Sequence, residues 1–165
     1  MPIKDKPRII ALEEHYWDEE VAATYGSADA GRRASGTVQR LYDYGELRIK
    51  EMDDAGIDLQ VLSHAPPGPQ QVDPATSVKL ASGANDRLQQ IVLSSPDRFA
   101  AFASLPTPDP EGAADELERC VSKYGFKGAM VHGLTNGKFI DDKQFWPIFE
   151  RAQACDVPIY LHPAA

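Results

Sequence analysis

Two short apolar runs, one near each end of the sequence, stop at side chains that can bind a metal ion. Segment 8–12 leads into Glu13-Glu14-His15, and segment 157–161 leads into His162. Both runs are rich in β-branched residues and suit strands that are buried on both faces, as in parallel sheets. The carboxyl ends of such strands are where α/β barrels place their active sites.

Three further strand-like runs lie between these two, and helical patterns separate them. Two helices should start at an aspartate followed by proline, at Asp73 and Asp109, and two should end before a glycine, at Gly56 and Gly125. Strands are predicted at 8–12, 59–63, 99–105, 127–131 and 158–161 and helices at 37–55, 74–94, 110–124 and 141–155.

Alternating strands and helices predict a parallel α/β sheet, either open and doubly wound or closed as a barrel. An open nucleotide-binding sheet usually carries a glycine-rich phosphate loop after an early strand. Here the acidic segment 13–20 follows the first strand and would repel a phosphate. We therefore expect residues 1–165 to form the first five β/α units of a (β/α)₈ barrel domain, which is incomplete because eight strands need roughly 250 residues.

Composition narrows the range of partners. The net charge is −8, with 17 basic and 25 acidic residues, which argues against nucleic acid and anionic membranes as partners. No apolar stretch reaches the roughly 18 residues that a membrane span needs. Cys120 and Cys155 both fall in predicted helices, so we expect reduced thiols and a cytoplasmic protein.

The ligand-type residues share one predicted edge of the sheet. If the first strand continues to His15, the side chains of Glu13 and His15 point to one side and that of Glu14 to the other. A carboxylate and imidazoles suit Zn²⁺ or Mn²⁺. His64, His132 and His162 also stand at predicted strand ends, and histidine is a common metal ligand and proton-transfer group.

The loop 16–35 is long enough to be functional. Tyr16 and Trp17 either line a substrate pocket or cover the barrel mouth, and the second interpretation is favoured. Arg32 and Arg33 either bind a substrate carboxylate or are solvated loop charges, and again the second is favoured.

Several motifs together resemble the amidohydrolase superfamily, in the amidohydrolase-related branch that contains γ-resorcylate decarboxylase and aminocarboxymuconate semialdehyde decarboxylase. The resemblance covers about residues 9–163. The motifs are Ala11-Leu12-Glu13-Glu14-His15, Asn85-Asp86, Pro96-Asp97-Arg98-Phe99 with Leu105-Pro106, Gly125-Phe126-Lys127-Gly128-Ala129 and Pro158-Ile159-Tyr160-Leu161-His162-Pro163.

The resemblance implies a distorted barrel that holds one divalent metal, Zn or Mn, on Glu13, His15 and His162. It implies non-oxidative decarboxylation of an aromatic or unsaturated carboxylic acid, with hydrolysis by the same metal as the alternative. His162, and with it His132 and His64, are then the candidate catalytic histidines. The expected substrate is a small carboxylic acid, and no organic cofactor is expected.

Two family elements, a sixth-strand histidine and the proton-transferring eighth-strand aspartate, would lie beyond Ala165. We therefore expect the 165-residue chain, whether a natural truncation or a fragment, to lack turnover alone. A non-catalytic binding remnant is the third alternative. Open sheet edges recruit other chains, so we also expect a homo-oligomer.

Overall fold

The computed structural model describes residues 7–25 and 36–163 as short strands that alternate with helices. None of the described helices is both long enough and apolar enough to cross a bilayer. The strands are β1 (Ile10–Tyr16), β2 (Leu59–His64), β3 (Phe99–Ala101), β4 (Ala103–Ser104), β5 (Ala129–His132) and β6 (Ile159–His162). The α-helices are α1 (Glu19–Ala22), α2 (Gly36–Tyr42), α3 (Glu46–Ala55), α4 (Pro74–Ser94), α5 (Pro110–Tyr124) and α6 (Trp146–Ala154).

All strand pairs are parallel, in the orders β1-β2-β3 and β4-β5-β6. The prediction of one continuous strand over 99–105 is wrong, because the strand changes partner at Phe102. The Phe102 amide donates to Leu62 O of β2 at 2.9 Å, whereas the Ala103 amide donates to Gly128 O, next to β5, at 2.8 Å. The strands thus follow one another in chain order, and the predicted parallel α/β architecture is confirmed.

Two predicted helices have different boundaries in the structure. The segment 37–55 forms α2 and α3, because the Asp43 carboxylate accepts hydrogen bonds from the Gly45 and Arg48 amides and turns the chain between them. The segment 141–155 starts with a 3₁₀ turn, Lys143–Phe145, and becomes α-helical at Trp146. The first prediction missed an Asx turn, and the second placed a helix start five residues early.

The predicted helix ends are confirmed. Asp73 accepts from the Thr76 amide at the start of α4, and Asp109 accepts from the Gly112 amide at the start of α5. Gly56 and Gly125 follow α3 and α5 with φ of 71° and 70°, the left-handed region in which glycine is unstrained.

Asn85 ties α4 to β4 and α5. Its side chain is fully buried, accepts from the Ser104 amide at 2.9 Å and donates to Ser104 O at 2.9 Å and to the Glu116 carboxylate at 2.7 Å. Asn85→Ala should lower the free energy of unfolding by about 3 kcal/mol, because it leaves buried polar groups unpaired. Urea denaturation measures this loss of free energy of unfolding. As a control, Gln153→Ala at an exposed position of α6 should change the free energy of unfolding by less than about 0.5 kcal/mol.

Candidate metal centre at the strand ends

The four histidines meet at the carboxyl ends of the strands. Tyr16 of β1 pairs in register with His64 of β2, and His132 of β5 pairs with His162 of β6. The His15 ring lies 4.9 Å from the His162 ring and 6.1 Å from the His132 ring, centroid to centroid. The expectation that strand-end residues converge at one edge of the sheet agrees with this geometry.

Glu13, His15 and His162 form the tightest group. One ligand atom from each lies within 4.8 Å of the others. His162 Nε2 is 3.1 Å from Glu13 Oε1 and 3.2 Å from His15 Nε2. A carboxylate oxygen and two imidazole nitrogens that converge in this way match the donor set of catalytic zinc sites, which leaves coordination positions for water or substrate.

Ring hydrogen bonds set which nitrogen of His15 faces the group. His15 Nδ1 is 3.2 Å from the Ser63 hydroxyl, at the end of β2. With Nδ1–H donating to this hydroxyl, Nε2 presents a bare lone pair toward Glu13 and His162. Burial, followed by the nearby His162, lowers the pKa of His15. Both effects favour a neutral imidazole, the form that binds metal.

Glu14 lies on the other side of β1, as the two-residue period of a strand predicts. Its carboxylate accepts from the Gln60 amide at 2.7 Å, and Gln60 in turn accepts from Arg48 at 3.1 Å. Arg48 also donates to His15 O at 2.8 Å and so holds the end of β1 in place. Burial raises the pKa of Glu14. The two adjacent glutamates thus lie in different environments, Glu13 beside His162 and Glu14 beside Gln60.

His132 is buried beside the group. Its Nε2 is 2.8 Å from His64 O, and because a carbonyl only accepts, Nε2 carries the proton. Burial lowers the pKa of His132 to about 3, so the ring is neutral at pH 7. The remaining nitrogen, Nδ1, is buried and has no hydrogen-bond partner within the described ranges 7–25 and 36–163.

Both ring nitrogens of His64 form hydrogen bonds with backbone atoms. Nδ1 donates to Ala65 O at 2.7 Å, and Nε2 accepts from the Asp18 amide at 3.1 Å. The side chain therefore joins the end of β2 to the segment that follows β1. These contacts assign it a positioning role, and its predicted role in catalysis stays a prediction.

Sequence reasoning missed Ser63 and Tyr160 as partners of the group. The Tyr160 hydroxyl donates to Glu13 Oε2 at 2.6 Å. Strand alternation was the available signal: Tyr160 stands two residues before His162 and so shares its face of β6. The hydrogen bond from Tyr160 lowers the pKa of Glu13.

The segment after β1 is described only in part. Tyr16, predicted to lie in the loop 16–35, is instead the last residue of β1 and is 1% exposed. Trp17 is 3% exposed and packs on Tyr42. Burial of this kind supports packing rather than a substrate-lining role. Arg32, Arg33 and the rest of 26–35 lie outside the described residues, so the predicted lining of the mouth by this loop stays a prediction.

The buried histidines predict a pH-dependent stability. Burial lowers the pKa of His64 to about 4, against about 6.5 in an unfolded chain. Because unfolding then takes up a proton, stability is full above pH 6.5 and falls toward pH 4, by about 1.4 kcal/mol per pH unit per histidine. The free energy of unfolding, measured with urea at pH 7.5, 6.0 and 5.0, should fall less steeply with decreasing pH in His64→Gln. The difference in slope should be about 1.4 kcal/mol per pH unit. An unchanged slope in the variant would count against this assignment.

Residues 12–165 match the amidohydrolase family, Amidohydro_2. Among curated relatives, the γ-resorcylate decarboxylase of Polaromonas sp. (strain JS666) is 40% identical over 161 residues, which cover 93% of this chain and 49% of that protein. The chain thus spans about half the length of the curated relatives that it matches.

Two solved structures share the fold. The dihydroxybenzoic acid decarboxylase of Polaromonas sp. JS666, with bound manganese and the inhibitor 2-nitroresorcinol, is 40% identical, with a TM-score of 0.85 over 96% of this chain and 50% of that one. The 5-carboxyvanillate decarboxylase of Novosphingobium aromaticivorans, complexed with manganese and 4-hydroxy-3-methoxy-5-nitrobenzoic acid, is 33% identical, with a TM-score of 0.88 over 95% and 50%. The prediction of five β/α units from a (β/α)₈ barrel is confirmed.

Proposed function

Since this chain belongs to the amidohydrolase family, we propose that it carries the metal centre of a metal-dependent, non-oxidative decarboxylase. The reaction is that of a carbon–carbon lyase on an aromatic or unsaturated carboxylic acid. One observation carries the proposal: Glu13, His15 and His162 converge within 4.8 Å at the carboxyl ends of the strands. This is where barrel enzymes build their active sites.

The proposed metal ligands are Glu13 Oε1, His15 Nε2 and His162 Nε2. The two Nε2 atoms lie 3.2 Å apart, a distance that either a hydrogen bond between the rings or a shared positive ion accounts for, and the Glu13 carboxylate 3.1 Å from His162 Nε2 suits the ion. Manganese is the proposed metal, because the similar decarboxylase structures contain it. Zinc is the alternative that this donor set also accommodates.

When bound, the metal would supply Lewis acidity and orient a substrate carboxylate. The residues of the chain hold the site around it. Ser63 and Arg48 fix the ring and the backbone of His15. His64 and His132 are neutral near pH 7, because burial lowers their pKa to about 4 and about 3, so they act there through hydrogen bonds. Their predicted part in proton transfer stays a prediction.

The proposed substrate is a hydroxybenzoate, in keeping with the dihydroxybenzoate and carboxyvanillate decarboxylases that the chain resembles. The test incubates the manganese-loaded complete protein with a panel of hydroxybenzoates and measures carbon dioxide and the decarboxylated phenol, because the 165-residue chain alone is expected to give no turnover. Release of both from at least one substrate supports the proposal, and Glu13→Gln should abolish it. Cleavage of lactones or amides with no loss of carboxylate would favour the hydrolase alternative. Manganese binding by the complete protein without turnover on any substrate would favour the binding remnant.

Three further expectations stay predictions. They are that residues 1–165 form the N-terminal part of a single barrel domain, that the protein is a homo-oligomer and that it is cytoplasmic. Both cysteines, Cys120 and Cys155, are free thiols, which is consistent with the last of these. Light scattering tests the oligomer directly.

A further inference from the structure

The two oxygens of the Glu13 carboxylate have different partners. Oε1 lies 3.1 Å from His162 Nε2, inside the proposed ligand group. Oε2 accepts the hydroxyl hydrogen of Tyr160 at 2.6 Å, a short, charge-assisted hydrogen bond. The side chain is therefore held with one oxygen toward the histidines and the other toward β6.

The ring of Tyr160 is held in place by packing against side chains of neighbouring strands. Its ring packs on Phe102, with centroids 6.0 Å apart and planes inclined by 32°. Phe102 belongs to a buried cluster with Val61 and Met130, and Met130 is the register partner of Tyr160 on β5. The phenol ring thus packs on side chains of neighbouring strands, and its hydroxyl contacts Glu13.

This arrangement bears on how a carboxylate can bind a metal ion. A carboxylate can occupy two coordination positions with its two oxygens, and a short hydrogen bond to one oxygen favours coordination through the other alone. Hydrogen-bonded partners of metal ligands orient them, and their loss typically weakens metal binding by about 10- to 100-fold. A single-oxygen ligand also leaves one more position for a substrate.

We propose that Tyr160 is a positioning residue that holds Oε2 of Glu13 and so presents Oε1 alone to the metal ion. The inference rests on the proposed function, because it takes Glu13 as a metal ligand. Tyr160 contacts neither metal nor substrate in this proposal and acts only through the carboxylate.

The test compares Tyr160→Phe with a matched control, Tyr124→Phe. Tyr124 also donates from its hydroxyl to a carboxylate, Asp86, at 2.7 Å, but this pair joins α5 to α4 and does not involve the ligand group. Manganese affinity is measured by titration calorimetry on metal-free protein. We expect affinity about 10- to 100-fold weaker in Tyr160→Phe and unchanged in Tyr124→Phe.

Infrared difference spectra on manganese addition give a second readout that a merely structural role would not move. The separation of the two carboxylate stretching bands should be wide in the unsubstituted protein, as for one-oxygen binding, and narrower in Tyr160→Phe. Affinity in Tyr160→Phe within about threefold of the unsubstituted protein, or equal losses in both variants, would overturn the role of Tyr160. Absence of manganese binding by the unsubstituted protein would overturn the proposed function instead.

Discussion

Gly128→Ala should destabilise the protein by about 4 kcal/mol or more. Gly128 has a φ of 139°, and a Cβ there would overlap the carbonyl oxygen of Pro158, a backbone atom that cannot rotate away. That oxygen accepts from the Ala129 amide at the start of the β5–β6 pairing. The substitution therefore has to separate the two strands that carry His132 and His162, and effects of this size are exceptional for a single substitution.

Urea denaturation measures this loss, and Gly137→Ala is the matched control. Gly137 also has a positive φ, 78°, but a Cβ there meets no atom within 4 Å. Its substitution should cost only the left-handed backbone penalty, about 1–2 kcal/mol. Equal losses in the two variants would show that the contact with Pro158 is not the cause.

Glu13→Gln should weaken manganese binding by more than about 100-fold, because the loss of a ligand charge must exceed the 10- to 100-fold cost of losing a residue that orients a ligand. The adjacent Glu14→Gln offers a control with the same chemistry. Glu14 points to Gln60 on the opposite side of β1 and takes no part in the ligand group. It should change the affinity by less than about threefold.

Titration calorimetry on metal-free protein gives both affinities. The contrast tests whether the two-residue alternation of β1 assigns the two carboxylates to different environments. Comparable losses in both variants would contradict that assignment.

Local signals predicted the parts of the fold that local chemistry determines. Aspartate–proline pairs start α4 and α5, and Gly125 ends α5, because caps and left-handed glycines depend on a few neighbouring residues. The meeting of the strand ends followed from parallel topology alone. The break between α2 and α3 also had a local cause, the Asp43 side chain, but a helical pattern on both sides concealed it.

Features that depend on contacts distant in sequence were not predicted. The third strand divides at Phe102 because β2 and β5 pair with different halves of it. Tyr160 and Ser63 became partners of Glu13 and His15 only when the strands were placed side by side. His64 has the residue type and the strand-end position of a catalytic group, yet both of its ring nitrogens are hydrogen-bonded to backbone atoms.

We propose that Glu13, His15 and His162 together hold one divalent ion. Anomalous diffraction from crystals of the manganese-loaded protein, recorded at the manganese absorption edge, tests it most directly. We expect a single strong peak at the carboxyl ends of β1 and β6, within bonding distance of Glu13 Oε1, His15 Nε2 and His162 Nε2. A peak bonded to other residues, or no peak between these three side chains, would contradict it.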